Sequence, residues 1–86
     1  MISVEDLMVY AEENEIPILL MDGFDDCIVG LLSGDEAKVV YSEELILEKL
    51  AKDLGSMDDA LDYFGFNIAS TYVGVHTPLI IQTEIS

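Results

Sequence analysis

Cys27-Ile28-Val29-Gly30-Leu31-Leu32-Ser33-Gly34-Asp35-Glu36-Ala37-Lys38-Val39-Val40-Tyr41 is the stretch whose reading decides the fold. It holds two apolar runs, Cys27 to Leu32 and Ala37 to Tyr41, each short and carrying β-branched residues. Four polar residues, Ser33 to Glu36, join them, and so short a connection favours an antiparallel hairpin. Gly30 inside the first run marks a bulge or a close approach by a neighbour. Upstream, Ile18-Leu19-Leu20-Met21 is too short for a helix of its own and reads as a buried strand. Asp22-Gly23 after it is a turn signal.

Helices are expected on either side. Ser3 is a good N-cap, with Asp6 placed as in a capping box, and Val4, Leu7, Met8 and Ala11 follow at helical spacing. Asn14 and Pro17 bound that helix. Ser42 is the next N-cap, and Ile46, Leu47, Leu50, Ala51 and Leu54 make the apolar stripe behind it. Gly55 is its C-cap. Ser56 opens a further helix, in which Met57, Ala60, Leu61, Phe64 and Ile68 form the cleanest amphipathic stripe of the chain. Gly65 weakens that helix or marks close packing. Gly74 to Pro78 is a loop. Leu79, Ile81, Thr83 and Ile85 then alternate with Ile80, Gln82 and Glu84 as a closing strand. The order is α-β-β-β-α-α-β, an α+β domain with a mostly antiparallel sheet and helices packed on one face.

Length and charge narrow the classes. Eighty-six residues make a single small domain spanning 1–86. Eighteen acidic residues against three basic ones give a net charge of −15. A hydrophobic content of 51% excludes a disordered acidic tail. The charge argues against direct nucleic-acid binding, which relies on Lys and Arg at phosphates, and against an anionic membrane surface. Seventeen of the eighteen acids lie between Glu5 and Asp62, so the last quarter is nearly free of charge. The uncharged stretch from Tyr63 to Thr83 has the length of a membrane span. Its apolar residues are interrupted by Asn67, Ser70, Thr71, His76, Thr77, Pro78 and Gln82, which reads as a helix end, a loop and a strand. The first residues carry neither a basic region nor a long apolar run, so no secretory leader is expected. Cys27 is the lone cysteine and reads as a small buried hydrophobe, and a cytoplasmic setting follows.

Three blocks invite chemistry. Asp22, Asp25 and Asp26 offer three carboxylates within five residues, suited to a hard divalent cation, although the EF-hand spacing is missing. The same residues suit an ordinary turn. His76, before Thr77-Pro78, is a general-base candidate if a carboxylate lies beside it, and otherwise a loop histidine bonded to the backbone. Tyr63-Phe64-Gly65-Phe66 sets three aromatics around one helical turn, so Tyr63 and Phe66 cannot both share the core face with Phe64. Hydrolase, P-loop, zinc and dinucleotide signatures are absent, so catalysis is not expected and neither is a cofactor, a divalent metal being the one alternative.

Asp22-Gly23-Phe24-Asp25-Asp26-Cys27-Ile28-Val29-Gly30, Val40-Tyr41, Tyr63-Phe64-Gly65-Phe66-Asn67-Ile68, and Tyr72-Val73-Gly74 running to Thr77-Pro78 together resemble a group of small acidic proteins of tailed bacteriophages and prophages. The likeness covers about residues 18 to 81. Gly65, where an acid is more usual, and Val75 beside His76 depart from that pattern. The resemblance implies a phage origin and a life in the bacterial cytoplasm, and it carries no activity or catalytic residue across.

Three functions follow as expectations. The first is a binding module for a basic protein surface, such as a host nucleic-acid enzyme inhibited by imitation of the DNA phosphate array. Its contacts would be the acids of the first helix, Glu43, Glu44 and Glu48, and Asp58, Asp59 and Asp62, with Tyr63, Phe66 and His76. The competing reading of each acidic cluster is a solvated face that keeps a small protein soluble. The second function is a metal-dependent enzyme or ligand-binding protein using Asp22, Asp25, Asp26 and His76. The third is a homo-oligomeric structural protein joined through Tyr63, Phe66 and Tyr72.

Overall fold

A computed structural model describes residues 2–69 and 72–84. The elements run α1 (Val4–Glu13), a 3-10 turn (Asp25–Cys27), β1 (Ile28–Leu32), β2 (Lys38–Ser42), α2 (Glu43–Leu54), α3 (Met57–Asn67) and β3 (Leu79–Ile81). The α+β class holds. β1 and β2 form the expected antiparallel hairpin, with Ile28 opposite Tyr41 and Leu32 opposite Lys38. The register shifts between Ile28 and Gly30, so the irregularity falls beside the glycine that signalled it.

The sheet is mixed rather than mostly antiparallel. β3 lies beside β2 and runs parallel to it, with Tyr41 opposite Ile80. The cause is the connection: α2 and α3 carry the chain back before β3 begins, and a parallel pair needs a crossover of that kind. β3 is also shorter than the alternation from Leu79 onward predicts. Beyond Ile81 the backbone and hydroxyl of Thr83 bond to Glu44 instead of extending the sheet. Ile85, the last residue of the expected strand, lies outside the described residues.

Ile18-Leu19-Leu20-Met21 is not a strand. It lies outside helix and sheet, with Ile18 and Met21 packed against the core and Leu19 and Leu20 exposed. Its end is fixed by a side chain: the Met21 N–H donates to the hydroxyl of the buried Tyr41 at 2.7 Å. The turn that follows is the one Asp22-Gly23 signals, closed by Phe24 N–H on the Met21 carbonyl at 3.3 Å.

The helix boundaries obey their local chemistry. The Ser3, Ser42 and Ser56 hydroxyls accept from the backbone N–H of Glu5, Leu45 and Asp59. Gly55 ends α2 with φ of 92°, where an L side chain is strained. One cluster then gathers Leu7 of α1, Ile46 and Leu50 of α2, Ala60 and Phe64 of α3, and Ile28, Val39 and Tyr41 of the sheet, with Cys27 among them. Burying each large side chain contributes about 1.5–3 kcal/mol. Ile28 faces Tyr41 across the hairpin, and Val39 lies two residues from Tyr41, so the helices meet one sheet face. The α3 stripe is only half used. Its buried seam runs through Ala60 and Phe64, while Met57 and Leu61 stay exposed on its shoulder. Gly65 is not a site of close packing among the described residues, since a Cβ there would meet none of them within 4 Å.

Candidate functional site

The acids of the Asp22–Asp26 block go to different tasks. Asp22 sits in the turn, while Asp25 and Asp26 open the 3-10 turn. Asp26 pairs with Lys49 of α2 at 3.0 Å, and this contact lowers its pKa below the ordinary carboxylate value. The Cys27 thiol beneath it lies 3.6 Å from the same carboxylate. Burial, reinforced by that neighbouring charge, pushes the thiol up to about 11, so Cys27 is the inert buried hydrophobe its neighbours imply.

His76 is elsewhere. Its Nδ1–H donates to the Ala37 carbonyl at 2.8 Å, the backbone contact of a loop histidine. Lys38 reaches the Val75 carbonyl beside it, so the loop is strapped to the start of β2. Among the described residues no group of three or more His, Cys, Asp or Glu side chains is gathered as a metal would require. No helix among them is long and apolar enough to cross a membrane.

The acids of α2 divide in two. Glu44 grips the chain beyond β3: its carboxylate accepts the Thr83 N–H at 2.9 and 3.1 Å, the Thr83 hydroxyl at 2.9 Å and the Glu84 N–H at 3.3 Å. These bonds, the Thr83 backbone first among them, bring its pKa down to about 2. Glu43 accepts from the Gln82 side chain at 3.1 Å. Glu48 is exposed on α2, and Asp58, Asp59 and Asp62 are exposed on the opening turns of α3. Of the eighteen acids, only Asp26 is in an ion pair among the described residues.

The aromatic block opens to solvent more than its sequence implies. Phe64 is core, but Tyr63 is 44% exposed, Phe66 85% and Tyr72 75%. Beside this surface lies a groove of about 510 Å³, which sequence reasoning missed. One wall is Leu19, Leu20 and Met21, continuing to Asp22 and Phe24. The other comprises Asn67 and Ile68 at the end of α3, Val73, and Thr77, Pro78 and Ile80 leading into β3. Local bonds hold this wall. The Thr77 hydroxyl donates to the Gly74 carbonyl at 2.6 Å and accepts the Val73 N–H at 2.9 Å, and Gly74 takes φ of 115° to close the loop. Among the described residues, Asp22 is the single charged residue of the lining. The signal that pointed this way was the near absence of charge after Asp62.

Comparison with protein-family models, with curated proteins and with solved structures returns no match.

Proposed function

We propose that this chain is a small acidic accessory protein, of the kind carried by tailed phages, that binds a basic protein surface. The observation that carries the reading is the unneutralised charge: among the described residues, Asp26 alone of the acids meets a cation within the fold. A charge of −15 that is not spent internally raises a field that draws in a positive surface and speeds association with it. Glu48, Asp58, Asp59 and Asp62 are the contact residues, because their carboxylates are exposed. Glu43 and Glu44 instead tie residues 82–84 to the start of α2. A host nucleic-acid enzyme is the fitting target, since its DNA-binding face is built to accept a spaced array of anionic oxygens.

The test is capture from bacterial lysate on the immobilised chain, at low and at high salt, beside the variant Asp58→Asn/Asp59→Asn/Asp62→Asn. A partner retained at low salt, released at high salt and lost by the variant supports the reading. Absence of any salt-sensitive partner defeats it. The exposure of Phe66 and Tyr72 favours a second reading, self-association through aromatic faces. Light scattering decides that one, and a monomer at high concentration ends it.

A further inference from the structure

We infer that Ile18-Leu19-Leu20 and the groove beside it form a docking edge for an apolar peptide segment of a partner protein, taken up by main-chain pairing. The basis is a conflict between sequence and structure. Ile18 to Met21 has the composition of a strand, yet it pairs with none. Among the described residues, no backbone group of Ile18, Leu19 or Leu20 makes a hydrogen bond. Such a segment is a template for an incoming strand, which would satisfy the free N–H and C=O groups.

The groove supplies what an edge alone lacks, namely room for side chains. Its volume of about 510 Å³ is that of a pocket for a few apolar groups, and Leu19, Leu20, Phe24, Ile68 and Ile80 line it. It is a held shape rather than a slack one. Tyr41 fixes Met21 on one side, and Thr77 closes the loop on the other.

Charge selects the occupant. Asp22 is the one ionisable side chain of the lining among the described residues, on a chain of net charge −15, so a segment carrying Lys or Arg next to its apolar residues fits and an acidic one does not. A second copy of this chain is a poor occupant for the same reason: it has three basic residues, of which Lys38 and Lys49 are already bonded within the fold. The basic character of the segment rests on the function proposed above, while the pairing edge does not.

The experiment pans a displayed library of random ten-residue peptides (a length of choice, about that of two strands) against the full chain and against Leu20→Asp. The variant places a charge at an exposed position, and its amide spectrum checks that the fold is kept. The expected result is enrichment of apolar peptides bearing Lys or Arg on the natural chain and its loss on the variant. Bound peptide should also slow hydrogen exchange of the Leu19 and Leu20 amides, and N-methylation of alternate peptide amides should abolish binding. No enrichment, equal enrichment on the variant, or indifference to N-methylation overturns the docking edge. Enriched apolar peptides without Lys or Arg, protecting the same amides, would keep the edge and remove the basic-partner reading. Basic peptides that shift only α2 and α3 would do the reverse.

Discussion

The hydroxyl of Tyr41, at the centre of the core, accepts the backbone N–H of Met21 at 2.7 Å. One bond thereby joins the middle strand to a segment twenty residues upstream that has no place in the sheet. The bond sets where Leu19 and Leu20 stand, and so defines one wall of the groove. Tyr41→Phe keeps the ring and removes the acceptor, leaving the Met21 N–H part-buried without a partner. The expected loss is about 1–2 kcal/mol in urea unfolding, with faster exchange of the Met21 amide.

Glu44 gives a pH-dependent contact. Its pKa falls from an ordinary 4.5 to about 2 because the carboxylate is bonded to Thr83 and Glu84 in the folded chain. The folded value lies below the unfolded one, so the stabilisation is complete above about 4.5 and lost as the pH falls towards 2. A carboxyl-carbon NMR titration should show the depressed value for Glu44. Protection of the Thr83 amide should weaken over the same acid range, and should be lost at neutral pH in Glu44→Ala, which has no acceptor.

Cys27 should behave as a reporter of unfolding. With its thiol raised to about 11 and its side chain buried, it should resist alkylation at neutral pH until the chain opens. The labelling rate should therefore follow the unfolding equilibrium across a urea series. Rapid labelling of the folded chain would contradict this burial.

Two glycines should respond with opposite sign. Gly65 lies inside α3 with open space around it, so Gly65→Ala should raise stability by about 0.5–1 kcal/mol. Gly55 caps α2 with φ of 92°, also in open space, so there the backbone alone sets the cost. Gly55→Ala should lower stability by about 1–2 kcal/mol. Thermal or urea unfolding of the two variants checks both.

What the sequence made legible was local. The caps at Ser3, Ser42, Ser56 and Gly55 depend on a few neighbouring residues, and each appears where those residues place it. The hairpin was legible because four polar residues leave two adjacent apolar runs little choice but to pair. Ile18 to Met21 misled because a short apolar run looks the same whether it joins a sheet or lies along a core. The Tyr41 bond that settles the matter spans twenty residues. The parallel pairing of β3 was hidden for a related reason, since the path of α2 and α3 sets its direction rather than its own alternation. The bond from Glu44 to Thr83 spans thirty-nine residues, and the groove draws on several separated segments. The charge-free last quarter could announce an unusual surface but not its shape. The acids, in turn, gave no sign that Glu43 and Glu44 serve the fold while Asp58, Asp59 and Asp62 stand open.

The function proposed for this chain has its open carboxylates steering it onto a basic partner. Its most direct test is the association rate with the partner captured from lysate, measured against ionic strength for the natural chain and for Asp58→Asn/Asp59→Asn/Asp62→Asn. Steering predicts a rate that falls steeply as salt rises, and a variant that associates more slowly with a shallower salt dependence. A rate indifferent to salt, or a variant that matches the natural chain at every ionic strength, would contradict it.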